Sequence, residues 1–255
     1  MINIYFGGCF MKLGIQIYSV RDAYAASAEQ TFKRIKEIGY EGVELFGALS
    51  THSAEYLRGL LEENGLELCG YHCGWQEFDT EEKVNNVINY MKALGCNNVV
   101  IPWMPDKNVE QWEEQICAFN KLCARFRVEG LRLGFHAHKG EMIILENGVC
   151  AWDMIGEQTP NDFIMQLDMG NAVNGGKDAV ALYKKFADKG ITVHYKAFSA
   201  EKGYNCIIGE DDIDWKTIIN ISKTTPVCEW AIVEKDDQDD FDTVTKSFTN
   251  LNKLL

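Results

Sequence analysis

The sequence predicts an α/β protein folded as a closed (β/α)8 barrel, and three observations support this prediction. Eight short apolar runs follow one another at intervals of about thirty residues, the length of a strand, a helix and two short loops. The segments between them have helical periodicity, and alternating strands and helices imply parallel pairing. No linker or low-complexity tract divides the 255 residues. Eight units of even length favour closure over the alternative, a doubly wound open sheet.

The predicted elements follow in a regular order. The predicted strands are residues 13–18, 42–46, 66–71, 98–103, 131–136, 163–167, 192–195 and 227–233. Helical periodicity is clearest at residues 108–129 and 239–255, where apolar side chains recur every three or four positions and form one stripe facing a core. Glycines favour a left-handed helix end just before the next strand, at Gly39, Gly65, Gly95, Gly130 and Gly190.

Composition and charge exclude several classes of protein. The 13 Phe, 10 Tyr and 6 Trp supply a core and exclude intrinsic disorder. With 25 Lys and Arg against 38 Asp and Glu, the net charge of −13 argues against nucleic acid as a partner, because phosphate binding requires surplus cations. No apolar run reaches the ~18 residues of a membrane span, so no membrane partner is expected. The sequence does not reveal the oligomeric state, and a homo-oligomer is left open.

The cysteines bear on the cellular location of the protein, and the N-terminal residues bear on where its barrel domain begins. Nine cysteines without a CxxC pair predict reduced, mostly buried thiols in a cytoplasmic protein. The first ten residues lack the basic leader and cleavage site of a signal peptide. Because Met11 begins a segment typical of a first strand, we expect residues 1–10 to be an N-terminal extension and residues 11–255 to form one barrel domain.

Polar residues gather where the predicted strands end, which is where barrels of this kind carry their chemistry. Four of the five histidines lie there, and so do two Glu, one Asp and one Lys; these residues are His72, His136, His138, His194, Glu141, Glu234, Asp168 and Lys196. Carboxylate oxygens and imidazole nitrogens together suit Mn²⁺, Co²⁺, Mg²⁺, Fe²⁺ or Zn²⁺. Taken singly, each residue has an ordinary role as a helix cap or a hydrogen-bonded core group. Their combination on neighbouring strands predicts one divalent metal ion.

The segments around these residues form a set of short motifs. The most specific are GFHAHKGEM, similar to a YHNHxxEF pattern, and QLDMGNA, VHYK, IGEDDIDW and IVEKD. Weaker ones are IKEIGYEGVELFG and VVIPWM. Together the motifs resemble the sugar phosphate isomerase/epimerase superfamily, whose xylose isomerase-like TIM barrel is shared by the family-two apurinic endonucleases. The resemblance extends from Met11 to about Glu234.

The resemblance implies a single divalent metal held by Glu141, Asp168, His194 and Glu234. Many members place the first Glu directly on strand 5, where this sequence has His136. Either Glu141 reaches in from the loop, or the histidine replaces it. The Asp that usually follows the strand-7 Lys is Ala197 here.

The resulting prediction is a metal-dependent sugar isomerase or epimerase that acts through an enediolate, formed by proton abstraction next to a carbonyl. Glu141 and Glu234 are the predicted acid/base pair. His72, His136, His138 and Lys196 are predicted to bind substrate, and Trp103 is predicted to stack on the apolar face of a sugar, although core packing is an equal alternative for an aromatic residue. An unphosphorylated sugar or sugar acid is favoured, since no P-loop is present.

Two alternatives use the same barrel. A keto-sugar or polyol lyase or dehydratase needs the same metal and the same carbanion, so the sequence hardly separates it from an isomerase. A DNA-repair endonuclease uses three metals and more histidines, one of them three residues beyond the strand-6 Asp, where this chain has Asn171. The acidic net charge also opposes DNA binding.

Overall fold

The eight predicted strands form one parallel sheet that curves into a barrel. A computed structural model describes residues 11–49, 51–236 and 240–255, so the expected extension at residues 1–10 lies outside the described residues. The strands are β1 (Lys12–Gln16), β2 (Gly42–Phe46), β3 (Glu67–His72), β4 (Asn98–Ile101), β5 (Arg132–His136), β6 (Ile164–Gln166), β7 (Thr192–Tyr195) and β8 (Trp230–Val233). Their order around the sheet is β6-β5-β4-β3-β2-β1-β8-β7, and all paired strands are parallel.

The ring is completed between β6 and β7 by a single parallel bridge. The bridge joins Asp168 to His194, and the backbone N–H of His194 donates to the carbonyl of Leu167 at 2.9 Å. The barrel is therefore nearly closed, and its closing seam lies at two of the predicted ligands.

The helices alternate with the strands along the chain. The α-helices are α1 (Arg21–Ala26), α2 (Ala28–Ile38), α3 (Ala54–Asn64), α4 (Glu81–Leu94), α5 (Val109–Val128), α6 (Ala151–Gln158), α7 (Met169–Asn174), α8 (Ala179–Lys185), α9 (Trp215–Thr224) and α10 (Phe241–Leu254). Short 3-10 helices span Ile17–Val20, Trp75–Phe78, Lys139–Met142 and Ala187–Lys189. No helix in the described ranges is long and apolar enough to cross a membrane.

The helix ends largely follow the glycine prediction. Gly39, Gly65 and Gly95 end their helices in the left-handed conformation, with φ of 119°, 60° and 78°, and Gly130 has φ 76° directly after the end of α5. The prediction is wrong for Gly190, whose φ is −83°. It ends a 3-10 helix instead, and that helix requires no left-handed residue.

The strand bounds also differ from the prediction by one to three residues in six strands: β1, β3, β4, β5, β6 and β8. Strand β4 stops at Ile101 rather than at Trp103, because Pro102 has no N–H to donate to a sheet. Strand β8 begins at Trp230 rather than at residue 227. The described cysteines are buried except for Cys117, which is exposed on α5, as the sequence predicts for most of them.

Candidate metal centre

Four side chains from four consecutive strand ends converge at the carboxyl end of the barrel. They are His136 of β5, Asp168 after β6, His194 of β7 and Glu234 after β8, and their potential ligand atoms all lie within 4.8 Å of one another. Nε2 of His136 is 3.8 Å from both Asp168 Oδ2 and Glu234 Oε2. All four residues are buried. The fold therefore brings together two imidazoles and two carboxylates, the donors that a divalent cation takes.

Hydrogen bonding fixes how His136 presents its ring. Its Nδ1 lies 2.9 Å from Oε1 of Gln166. The amide nitrogen of Gln166 donates to Glu44 and Thr192, both at 2.8 Å, so Oε1 is the acceptor and Nδ1 of His136 is the donor. Burial and the neighbouring His194 hold the pKa of His136 well below its usual value. The ring is neutral, and Nε2 therefore directs an unprotonated lone pair toward the two carboxylates, as a metal ligand does.

Asp168 carries a buried oxygen that lacks a hydrogen bond. Oδ1 caps α7 by accepting from the backbone N–H of Asn171 at 2.7 Å, while Oδ2 has no hydrogen-bond partner among the described residues. Nζ of Lys196 is 3.6 Å from Oδ2. Burial raises the pKa of Asp168 to about 7 against the opposing charge of Lys196. A buried carboxylate oxygen without a hydrogen bond is costly, and a cation at this point would satisfy it.

His194 lies between two carboxylates. Its Nε2 is 2.6 Å from Oε2 of Glu44, and its Nδ1 is 2.7 Å from Oε2 of Glu234. Burial opposes protonation, but the two carboxylates prevail and raise the pKa of His194 to about 10. With Nε2 donating to Glu44, Nδ1 is the nitrogen that faces the other three members of the cluster. Metal binding at Nδ1 requires loss of its proton.

Glu44 of β2 supports the cluster from within the barrel. This fully buried carboxylate accepts hydrogen bonds from Gln16 and Gln166, each at 2.8 Å, in addition to the contact with His194. His72 Nε2 lies 3.1 Å away. Burial opposes ionisation, yet the imidazoles of His72 and His194 hold the pKa of Glu44 below its usual value. A carboxylate behind a ligating histidine is a recurrent feature of metal sites.

The absence of a side chain at Gly70 leaves room for this carboxylate. A Cβ at position 70 would lie 2.9 Å from Oε1 of Glu44, which is too close for a stable contact. Gly70 pairs with Glu44 in the β2–β3 ladder just after a register shift. The local backbone thus accommodates a charged residue in the middle of an apolar strand.

The donor set fits a divalent metal ion. It combines the lone pair of His136, the free oxygen of Asp168, Nδ1 of His194 and the carboxylate of Glu234. Two neutral imidazoles and two carboxylates would balance the two charges of the ion, and each ligating histidine has an outer partner that orients it, Gln166 or Glu44. These outer contacts are typical of functional metal centres.

Glu141 lies outside this cluster. It is buried in the 3-10 helix Lys139–Met142, and its Oε2 accepts from the backbone N–H of His138 at 2.8 Å. Burial raises the pKa of Glu141 to about 7. Neither group of potential ligands found among the described residues includes it. Of the two side chains that the sequence leaves open as alternatives, His136 belongs to the cluster and Glu141 does not.

The other predicted residues lie around a cavity of about 480 Å³ above the cluster. His72, Trp103, His136, His138 and Glu234 all line it. Burial lowers the pKa of His138 to about 4, so this imidazole is neutral at pH 7. His52, the one histidine not predicted at a strand end, packs instead against Tyr24 and Tyr56.

Lys196, which the sequence predicts to bind substrate, lies beside the cluster. It is buried, is not among the residues that line the cavity, and forms an ion pair with Asp236. Its Nζ also lies 3.6 Å from Asp168 and 3.8 Å from Glu234. Asp236 is the acidic partner of Lys196 in this chain, which has Ala197 where the resemblance places an Asp. The ammonium is therefore held among carboxylates rather than presented to a ligand.

Comparison with known proteins identifies the family. A profile described as the xylose isomerase-like TIM barrel matches residues 32–252. The chain belongs to the xylose isomerase-like TIM barrel family. The resemblance inferred from the sequence motifs is confirmed, as is the barrel fold.

Members of this family that resemble the chain include named enzymes and solved structures. An inosose dehydratase of Geobacillus kaustophilus is 25% identical over 192 residues, which cover 66% of this chain and 61% of that protein. A sugar phosphate isomerase/epimerase from Parabacteroides distasonis superposes with a TM-score of 0.79 at 18% identity, covering 98% of this chain and 96% of its own. A xylose isomerase-like TIM barrel protein from Mycobacterium smegmatis, in complex with magnesium, superposes with a TM-score of 0.74 at 14% identity, and 96% of each chain is covered.

Three residues of this xylose isomerase-like centre are missed by the sequence analysis: Gln16, Glu44 and Gln166. All three are completely buried. Strands of a buried parallel sheet read as continuous apolar runs, so a polar residue inside such a run is itself a signal. GIQIY, GVELF and IMQL each contain one.

Proposed function

We propose that the protein is a divalent-metal-dependent enzyme that removes a proton from the carbon beside a carbonyl in a sugar or sugar derivative. The observation that carries this proposal is that the His136 lone pair and the Asp168 oxygen without a hydrogen bond converge with His194 and Glu234. A cavity of ligand size lies directly above these groups. The family relatives named as a dehydratase and an isomerase/epimerase support a carbohydrate substrate.

The proposed ligands are His136, Asp168, His194 and Glu234. When bound there, a divalent ion would act as a Lewis acid that polarises the substrate carbonyl and stabilises developing negative charge. The magnesium in a family structure supports a divalent cation. The metal's identity is not specified by these donors, which suit Mn²⁺, Co²⁺, Mg²⁺, Fe²⁺ and Zn²⁺ alike.

Glu234 is the proposed base. It lines the cavity and is ionised, because Lys196 and His194 hold its pKa well below the usual value despite burial. An ionised carboxylate facing the ligand is able to accept a proton at one of its oxygens. Lys196, 3.8 Å from Glu234 Oε2, orients the carboxylate. His72 and the neutral His138 face the same cavity and are placed to hydrogen-bond hydroxyl groups.

The position of the carboxylates bears on where the proton goes. Among the described residues that line the cavity, the only carboxylates are Glu234 and Asp236, and both follow β8. In isomerisation the proton is transferred to an adjacent carbon on the same face of the sugar, and this needs one such base. Epimerisation needs a proton donor on the opposite face as well. We therefore favour isomerisation within the predicted isomerase/epimerase class.

A dehydratase is the second candidate. Loss of a hydroxyl group beside the carbanion also proceeds with one base, which returns its proton to the departing oxygen on the same face. Because the carboxylates that line the cavity all follow β8, they suit this reaction as well as they suit isomerisation. The relative named inosose dehydratase adds support.

Deuterium exchange tests the proposal and separates the candidates. The protein is reconstituted with Mn²⁺ and incubated in heavy water with free ketoses, keto-glycosides and their phosphates. For an isomerase we expect the isomeric sugar and deuterium from the solvent beside its carbonyl; for a dehydratase we expect an unsaturated product that has lost this proton. Fully metal-loaded protein that gives neither deuterium exchange nor an unsaturated product with any compound would contradict the proposal.

Two variants serve as controls for this experiment. Asp168→Ala removes a proposed carboxylate ligand and is expected to abolish both metal binding and exchange. Glu234→Gln is expected to lose exchange while retaining part of the metal, because the amide oxygen remains a weak ligand. Wild-type metal content in Asp168→Ala protein would contradict the ligand assignment.

A further inference from the structure

The long segment between β7 and α9 returns one side chain to the metal centre. Residues 197–214 contain no helix or strand, and one antiparallel bridge joins Ser199 to Gly203. Tyr204 follows this bridge directly and is half-buried. It is neither a proposed ligand nor a residue that lines the cavity, so its contacts require an explanation of their own.

Two contacts fix the backbone of this segment. Within it, the carboxylate of Asp212 accepts from the backbone N–H of Ala200 at 2.7 Å, which joins the two ends of the loop. From outside it, the buried Lys235 donates through Nζ to the backbone carbonyl of Tyr204. Lys235 directly follows Glu234, a proposed ligand, so the segment is connected to the end of β8. Tyr204 therefore lies on a held backbone.

The hydroxyl group of Tyr204 lies between two asparagines of α7. It is 2.5 Å from Oδ1 of Asn171, and Nδ2 of Asn174 donates to it at 2.9 Å. Nδ2 of Asn171 donates to the backbone carbonyl of Ala137 at 2.9 Å. Because a carbonyl only accepts, the amide of Asn171 has one orientation, with Oδ1 toward Tyr204. The hydroxyl therefore donates to Asn171.

Asn171 joins the ends of two strands that carry proposed ligands. Its backbone N–H donates to Oδ1 of Asp168 at 2.7 Å, after β6. Its side chain is buried and donates to the carbonyl of Ala137, the residue that follows His136 of β5. One asparagine thus contacts the carboxylate of one proposed ligand and the backbone beside another.

A second contact of Tyr204 leads to the same carboxylate. The ring of Tyr204 lies over Nζ of Lys196, 5.0 Å from the ring centroid, and this Nζ is 3.6 Å from Oδ2 of Asp168. A Cβ at Gly170 would lie 2.8 Å from the backbone carbonyl of Lys196, so α7 begins in close contact with the end of β7. The tyrosine contacts Lys196 through its ring and Asn171 through its hydroxyl. Both of these residues contact Asp168.

We propose that Tyr204 is a positioning residue for the metal centre, which acts through Asn171 to hold the carboxylate of Asp168 in its binding orientation. Without the hydroxyl, Oδ1 of Asn171 loses its donor and α7 is held less firmly where its N–H meets Asp168. The inference rests on the proposed function in that Asp168 is a proposed ligand. The contacts themselves involve no metal ion, so their effect on Asp168 is measurable in its absence.

Hydrogen exchange in the metal-free protein, followed by NMR, tests the positioning role. Tyr204→Phe keeps the ring over Lys196 and removes only the hydroxyl. We expect the backbone N–H of Asn171 to exchange about 3- to 10-fold faster in this variant, as loss of one hydrogen bond implies. Tyr90→Phe is the matched control, since Tyr90 is also half-buried and its hydroxyl donates to the backbone carbonyl of His52 at 2.9 Å, outside the metal centre. It should leave the exchange of Asn171 unchanged.

Calorimetric titration with Mn²⁺ tests whether Tyr204 acts through Asn171. We expect Tyr204→Phe to weaken Mn²⁺ binding about 3- to 10-fold and Asn171→Ala to weaken it about 10-fold or more. In Asn171→Ala protein, Tyr204→Phe should cause no further loss, because the acceptor of its hydroxyl is already absent. Additive losses in the double variant would overturn the action through Asn171.

The outcomes separate this inference from the proposed function. Faster exchange of the Asn171 N–H in Tyr204→Phe protein, with no Mn²⁺ bound even by the wild type, supports the hold on Asp168 and overturns the proposed ligands. Unchanged exchange overturns the positioning role, whatever the wild type binds. Faster exchange together with wild-type Mn²⁺ affinity in the variant also overturns it, since the tyrosine would then support the fold and not the ligand.

Discussion

Oε1 of Gln166 lies 2.9 Å from Nδ1 of His136 and fixes which nitrogen of that ring faces the metal centre. The same oxygen accepts from His72 Nε2 at 2.7 Å. Because the amide nitrogen is directed to Glu44 and Thr192, the glutamine cannot reverse its roles without losing four contacts. One buried amide on β6 thus sets the tautomer of two histidines.

Replacing this amide should weaken metal binding without unfolding the protein. We expect Gln166→Met, which keeps the side-chain volume and removes the acceptor, to lower Mn²⁺ affinity about 10- to 100-fold. Long-range ¹H–¹⁵N spectra of the imidazoles should show Nδ1–H on His136 in the wild type and a mixed tautomer in the variant. Gln115→Met is the matched control, since Gln115 is a buried glutamine of α5 outside the site. Unchanged affinity and tautomer in Gln166→Met would remove the positioning role.

Neutralising Glu44 should cost stability as well as metal affinity. Glu44→Gln leaves His72 and His194 without their charged partner inside the barrel, and breaking a buried charge pair costs about 3–5 kcal/mol in the free energy of unfolding. Urea unfolding measures this loss. Glu67→Gln, which breaks the exposed ion pair with Lys12, should cost less than about 1 kcal/mol. Equal losses in the two variants would show that the Glu44 network is no stronger than a surface pair.

His136 and Glu141 should respond oppositely to substitution. His136→Ala removes a proposed ligand and is expected to reduce bound Mn²⁺ far below one per chain. Glu141→Gln changes a side chain whose carboxyl oxygen accepts from the His138 backbone, so metal content should stay near one. Metal analysis after dialysis measures the metal content of both variants. The reverse pattern would restore Glu141 as the fourth ligand.

Asp211 should make the free energy of unfolding depend on pH, independently of the metal. Burial raises the pKa of Asp211 to about 6, although Trp215 Nε1 donates to its carboxylate at 2.8 Å. The folded state therefore holds this proton more tightly than the unfolded state, whose pKa is ~3.9, and the free energy of unfolding should fall as pH rises from about 4 to about 6. For this partly exposed group the loss is about 1 kcal/mol after allowance for solvent screening.

Asp211→Asn should remove that part of the pH dependence. The amide oxygen still accepts from Trp215 and the side chain no longer ionises. Urea unfolding at pH 4.5 and pH 7 should show the variant gaining stability relative to wild type at the higher pH. An identical difference between the two proteins at both pH values would contradict the raised pKa.

The barrel could be predicted because its pattern is local. Short apolar runs alternate with helical segments eight times, and Gly39, Gly65 and Gly95 end helices where the sequence indicates. The strand ends likewise predicted Asp168, His194 and Glu234 as members of one cluster. The early end of β4 was not predicted, because it depends on one residue, Pro102, rather than on periodicity.

The choice between His136 and Glu141 could not be predicted in the same way. The two are five positions apart, and the intervening loop decides which side chain turns inward. Glu141 accepts a hydrogen bond from the His138 backbone N–H, away from the cluster, while His136 donates a hydrogen bond to Gln166 of β6 that holds its ring in the cluster. The sequence marks Glu44 and Gln166 as polar residues within apolar runs, but it does not show their contacts, since their partners come from strands that are distant along the chain.

The most direct test of the metal centre is a crystal structure of the protein grown with Mn²⁺, with anomalous data collected for manganese. The account predicts one anomalous peak per chain, ~2.2 Å from donor atoms of His136, Asp168, His194 and Glu234, with Gln166 still bonded to Nδ1 of His136. A structure with no peak among these four side chains, or with the ion held by Glu141 while His136 points elsewhere, would contradict it.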